Sequence, residues 1–153
     1  MHYDSGHPVK LSVDTSPYRL GVVIMLVYAN VMHCLCIRMP REHEKRYGQF
    51  DKEALAILFG LKQFHSYLYG WHNNYLSILT DHKPLEHIFG PKTTILSLVA
   101  MCQQWWAIIL IASNYSIKFV LSKQNTVAGA LSCLPSPLMA GSESTVFKLK
   151  SVW

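Results

Sequence analysis

An α/β fold, a five-stranded mixed sheet flanked by helices, is predicted by three features of this chain. Residues 20–37 carry no charge, are rich in Val and Ile, and are interrupted at Ala29-Asn30, the pattern of a β-hairpin. From residue 47, apolar side chains recur at Tyr47, Phe50, Ala54, Ile57, Leu58, Leu61, Phe64 and Leu68, one stripe of a long helix. Residues 75–80 form an apolar run that meets Asp81 and then Pro84, a strand ending in a proline-broken turn. The resulting order is three antiparallel strands, a helix, then two further strands alternating with helices, which closes into a helix-covered mixed sheet.

The elements follow in order. A first strand is expected over residues 9–14, and Ser16-Pro17-Tyr18-Arg19 supplies a turn. Strands over 21–28 and 31–37 pair across Ala29-Asn30, and a charged connector, 38–46, leads to the long helix, which Gly70 ends. At about 100° per residue, Glu53 falls on the flank of the apolar stripe, within reach of a sheet edge and not sealed in the core. A fourth strand covers 75–80 and a short helical turn 84–89. Beyond Gly90-Pro91, a very apolar helix is expected over 96–112, a fifth strand over 115–121, and a short helix over 127–133 that stops before Pro135. Residues 1–8 read as an N-terminal extension and 9–135 as the domain. Residues 136–153, rich in Ser and without a period, read as a poorly ordered tail.

At 153 residues the chain can bury the core of one domain. Its net charge of +5 favours an anionic partner and says nothing about fold. The charge-free stretches 20–37 and 93–117 both reach the roughly 18–20 residues of a membrane span. The first suits a hairpin better, and the second contains Gln103, Gln104, Ser113 and Asn114, so no membrane partner is expected. No signal peptide is read in residues 1–8, and an intracellular setting, cytoplasmic or nuclear, is expected. Cys34, Cys36, Cys102 and Cys133 lack CxxC spacing and read as buried free thiols, not as a zinc site.

Acidic residues are scarce, and three have suggestive positions. Asp14 closes the first strand, Asp81 closes the fourth, and Glu53 lies on the long helix. Hard cations such as Mg²⁺ take carboxylate oxygens, so these three form a candidate divalent-metal site.

Longer motifs carry a resemblance. Asp14-Thr15-Ser16-Pro17-Tyr18, Arg46-Tyr47-Gly48-Gln49-Phe50-Asp51-Lys52-Glu53-Ala54-Leu55-Ala56 and Thr80-Asp81-His82-Lys83-Pro84-Leu85 occur in that order. Phe89-Gly90-Pro91-Lys92 follows, and then Asn125-Thr126-Val127-Ala128-Gly129-Ala130-Leu131-Ser132-Cys133-Leu134-Pro135. Together they resemble the ribonuclease H domain of reverse transcriptases from Ty3/gypsy-type LTR retrotransposons, over most of the chain. The resemblance implies a ribonuclease H-like fold with its active site at the strand ends. It also implies endonucleolytic cutting of the RNA strand of RNA–DNA hybrids with two Mg²⁺ (or Mn²⁺) ions. Asp14 would be shared by both ions, while Glu53 and Asp81 would complete the shell of one. Lys83, Lys92, Lys118 and Lys123 would approach phosphates of the hybrid, which is recognised by shape and 2′-hydroxyls. The polymerase and integrase parts of the same polyprotein would be the protein partners.

The resemblance is broken at one decisive place. The family pattern in the last helix reads Ala-Asp-Ala-Leu-Ser, and here Gly129 replaces the Asp, a fourth carboxylate that helps hold the water-activating ion. Metal binding is therefore expected to be weak. Family members usually carry Gly at the positions of Arg19 and Ser122, Pro at Leu121, and commonly Arg at Trp71, Cys102, Trp105 and Cys133. The hairpin between Gly21 and Tyr47 is also about three residues shorter than typical. Arginines lost to C-to-T change would account for the positive mean hydropathy of +0.16. Two readings stand: an impaired hybrid-cutting endonuclease, or a non-catalytic remnant that binds nucleic acid or protein, or has no function.

Overall fold

The computed structural model describes residues 8–26, 31–68, 76–90, 115–133 and 145–148. Strands β1 (Val9–Thr15), β2 (Leu20–Leu26) and β3 (Val31–Arg38) form an antiparallel meander. β4 (Leu76–Thr80) lies parallel to β1, and β5 (Tyr115–Phe119) parallel to β4. The five expected strands are all present, in a mixed sheet. A sixth, β6 (Thr145–Lys148), pairs antiparallel with β3, and the order becomes β5-β4-β1-β2-β3-β6. These four residues lie within 136–153, the stretch expected as a poorly ordered tail. Four residues are too few to show a period, yet Thr, Val and Phe suit a strand, and the edge of β3 offers backbone partners.

The described part of the charge-free stretch 20–37 lies in β2 and β3, paired antiparallel. Among the described residues, no helix is long and apolar enough to cross a membrane. The helix expected over 96–112, most of the charge-free stretch 93–117, and the helix stop at Gly70 lie outside the described residues.

Helices cover both faces. Leu11, Val13, Leu20, Val22 and Ile24 face α1 (Gln49–Gln63) and α3 (Lys83–Phe89), packing against Ala56, Ile57, Phe64, Leu85 and Phe89. The alternate residues of β2 point the other way, and Val23 packs with Ile37 and with Ala128 of α4 (Thr126–Cys133). Gly60 sets the depth at which α1 docks. A Cβ built there would lie 2.6 Å from Val22 Cγ1 and 3.2 Å from Leu11 Cδ2, so only glycine lets the backbones come this close.

Two expectations for the long helix are corrected. Its buried positions include Glu53, Ala54, Ala56, Ile57 and Gly60, so the buried stripe runs through Glu53 and does not leave it on the flank. Glu53 is 1% exposed. The large apolar residues misplace the stripe because its closest contact, Gly60, has no side chain to reveal it. The helix is also interrupted at Phe64, and a single further turn, α2 (His65–Leu68), follows. α3 starts earlier than expected, at Lys83 with Pro84 in its first turn, where a missing N–H costs nothing.

The charged connector is more than solvated chain. Glu44, buried in a 3-10 turn (Glu44–Arg46), accepts two hydrogen bonds from the Arg38 guanidinium at 2.8 and 3.2 Å and one from the Arg41 backbone N–H at 2.6 Å. The same guanidinium lies 5.2 Å above the Phe59 ring, tying the end of β3 to α1.

Candidate metal centre

Parallel pairing brings two of the acids together. Ser12 of β1 pairs with Leu79 of β4, and carrying this register on by two residues sets Asp14 beside Asp81. Both strands run the same way, so both carboxylates emerge at the same end of the sheet. Glu53 arrives at that end from the first turns of α1, on the face of the sheet that Thr15 occupies. Asp14, one residue earlier, points to the α4 face. Ligand oxygens of Asp14, Glu53 and Asp81 all lie within 4.8 Å of one another.

The environment of these acids is unlike water. Burial, with the nearby charges of Asp81 and Asp14, pushes Glu53 up to about 7 against the hydrogen bonds from Thr15 and Gln49. Burial also raises Asp14, assisted by the charge of Asp81 and opposed by a hydrogen bond from Ser132. Carboxylates this close share protons or require a cation. The donor set fits a hard divalent ion: every ligand is a carboxylate, and the buried Glu53 Oε2 has no hydrogen-bond partner among the described residues.

α4 meets the same end of the sheet. Asn125, just before its first residue, donates from Nδ2 to the Val13 carbonyl at 2.7 Å. The Ser16 hydroxyl in the β1–β2 turn donates to the Ser132 carbonyl at 2.7 Å, and the Ser132 hydroxyl donates to Asp14 Oδ2. These ties hold Gly129 over the carboxylates. Its backbone is helical, with its N–H bonded to the Asn125 carbonyl at 3.0 Å, and a Cβ built there would lie 3.8 Å from Asp14 Oδ2. That is ordinary van der Waals contact, so an acidic side chain at this position would stand beside Asp14.

The family described as "RNase H-like domain found in reverse transcriptase" matches residues 4–115. The chain belongs to this family. Its relatives include the retrovirus-related Pol polyprotein from transposon 297 of Drosophila melanogaster, 32% identical over 124 residues, 80% of this chain. The chain spans only 11% of that polyprotein. The RNase H-like domain also shares its fold with RNase H1 from Halobacterium salinarum NRC-1, at TM-score 0.60 and 13% identity, covering 82% of this chain and 92% of that one. A foamy viral protease-reverse transcriptase solved in complex with an RNA/DNA hybrid also has TM-score 0.60, at 8% identity, over 91% of this chain and 18% of that one.

Three of the four candidate phosphate-contacting lysines of the RNase H-like domain are among the described residues. Lys83 is exposed two residues past Asp81, Lys118 is exposed on β5, and Lys123 is exposed in the turn before α4. Lys92 lies outside the described residues. His87 is exposed, whereas the His82 ring packs edge-on against Phe50 at 5.8 Å and its Nδ1 is buried. Cys36 is buried, but Cys133 is exposed, which corrects the reading of that thiol as buried. Thr15, Gln49, Ser122 and Ser132 contact the carboxylates; three of them lie inside the quoted motifs and Ser122 is one of the departures, but nothing in the sequence marks any of them as a donor to an acid.

Proposed function

We propose that this RNase H-like domain binds RNA–DNA hybrids across the carboxylate end of its sheet and cuts their RNA strand slowly, because its metal centre lacks a fourth carboxylate. The meeting of Asp14, Glu53 and Asp81 within 4.8 Å carries this reading. Bound there, Mg²⁺ or Mn²⁺ supplies activation of the attacking water and neutralises charge on the leaving oxygen. Asp14, Glu53 and Asp81 would hold the ion. Lys83, Lys92 and Lys123 contact flanking phosphates and set the hybrid's position rather than reading its sequence. Similarity to a reverse transcriptase solved with an RNA/DNA hybrid supports the substrate class. The polymerase and integrase parts of a Pol polyprotein are the proposed partners, in an intracellular setting.

Cleavage of a labelled hybrid, with and without Mn²⁺, tests the reading. Gly129→Asp should raise the metal-dependent rate at least about tenfold over the parent chain, since water activation depends on ion binding. Gly129→Ala, which changes the helix without adding a ligand, should leave the rate unchanged. Adding Asp14→Asn to Gly129→Asp should abolish the gain. A folded Gly129→Asp protein no faster than the parent would show that the missing carboxylate does not limit the rate.

A second reading, a non-catalytic remnant, is favoured by Leu121, a 57% exposed apolar side chain where the family usually has Pro, and by the exposed Cys133 where Arg is common. It expects TG or CA dinucleotides in the codons for Trp71, Cys102, Trp105, Leu121 and Cys133, with CG in related genomic copies. Copies already lacking CG would count against decay.

A further inference from the structure

Each of the three carboxylates accepts a hydrogen bond from one side-chain hydroxyl, and the hydroxyls come from three different segments. Thr15, ending β1, donates to Glu53 Oε1 at 2.5 Å. Ser122, in the turn after β5, donates to Asp81 Oδ2 at 2.9 Å. Ser132, in the last turn of α4, donates to Asp14 Oδ2. Gln49 adds a second tie, because its Nε2 donates to both Thr15 Oγ1 and Glu53 Oε1 at 3.0 Å.

The ties discriminate between the two oxygens of a carboxylate. Glu53 Oε1 takes both donors, while the buried Oε2 takes none. On Asp14, the tied oxygen is Oδ2, the one that faces Gly129. The hydroxyl therefore engages Asp14 on the side where the fourth carboxylate is missing. The single proton of Ser132 is shared, since the Gly129 carbonyl also lies 2.9 Å from its Oγ, so Glu53 is the most firmly held of the three acids.

We propose that Thr15, Gln49, Ser122 and Ser132 form a collar of donors that positions the three carboxylates, turning one oxygen of each toward a single divalent cation. The inference rests on the metal centre proposed above and adds its stoichiometry and its positioning residues. Carboxylate ligands whose outer partners are removed lose orientation, and such changes weaken metal binding by roughly 10–100-fold.

Calorimetric titration of the full chain with Mn²⁺, paired with the electron paramagnetic resonance signal of bound Mn²⁺, tests it. The parent should bind one ion. Thr15→Val should weaken binding about tenfold or more, and Thr15→Ser should bind like the parent. Packing alone predicts the reverse order, because Val keeps the methyl group and Ser does not. If Thr15→Val fails to fold by circular dichroism, Gln49→Leu and Ser122→Ala carry the test at exposed residues and should each weaken binding severalfold. Folded variants that bind Mn²⁺ as tightly as the parent would overturn the collar and leave the metal centre standing. Two ions bound to the parent would overturn the stoichiometry. No binding by the parent would overturn the metal centre and the collar together.

Discussion

Glu53 concentrates the physical tension of this domain in one side chain. In the metal-free protein, burial and two neighbouring acids lift it from an ordinary 4.5 to about 7. The folded state then holds a proton that the unfolded chain has released. Its contribution to stability is complete below pH 4.5 and is lost as pH rises toward 7, about 3 kcal/mol in all. The melting temperature without metal should therefore fall between pH 5 and pH 7 (roughly that window), and Glu53→Gln should flatten the fall. A rising melting temperature over the same interval would contradict the burial argument. Glu44 behaves oppositely: burial pushes it up, but the Arg38 and Arg41 hydrogen bonds prevail and hold it below 4.5. Its contribution is present above that pH and is lost on further acidification. At this scale, Asp14 and Asp81 are legible in the sequence because each stands at the end of a strand. The hydroxyls that hold the acids are not, since Thr15, Ser122 and Ser132 lie 38, 41 and 118 residues from the carboxylates they touch.

Two helical glycines show how an element reads its surroundings. Ala is preferred to Gly inside a helix by about 1 kcal/mol. At Gly129 a Cβ meets only Asp14 Oδ2 at 3.8 Å, so Gly129→Ala should stabilise the domain by about 0.5–1 kcal/mol in urea unfolding. At Gly60 a Cβ would sit 2.6 Å from Val22 Cγ1, in the buried β2 face. Overpacking of that kind costs about 1–3 kcal/mol, so Gly60→Ala should destabilise despite the better helix former. Equal effects of the two substitutions would mean that α1 can slide away from the sheet. The contrast also explains what the sequence conceals. Periodicity locates a helix by its large apolar residues, whereas docking depth is set by the smallest one. The axis of burial therefore passes through Glu53 and Gly60, two residues that no hydrophobic pattern marks.

Across the whole molecule, strand direction does most to assemble the candidate site. β1 and β4 run parallel, so Asp14 and Asp81 finish together although 67 positions separate them (81 minus 14). If a cation binds there, it ties β1, β4 and α1 at one end, and saturating Mn²⁺ should raise global stability. At about 100 times the dissociation constant the gain is about 2.7 kcal/mol, read as a higher melting temperature that Asp14→Asn removes. Alternation and turn residues made five strands legible beforehand, but not the sixth. β6 is recognisable only through its partner, since Cys34, Leu35, Cys36 and Ile37 pair with Lys148, Phe147, Val146 and Thr145. That pairing affects how the domain should be delimited for isolation. β3 carries no charge before Arg38, and without β6 its outer row of N–H and C=O groups would lie open. A polypeptide cut after residue 135 should therefore self-associate in sedimentation at rising concentration, while one extended past Lys148 should do so less. β6 would then be a solubility device, shielding the sheet from copies of itself.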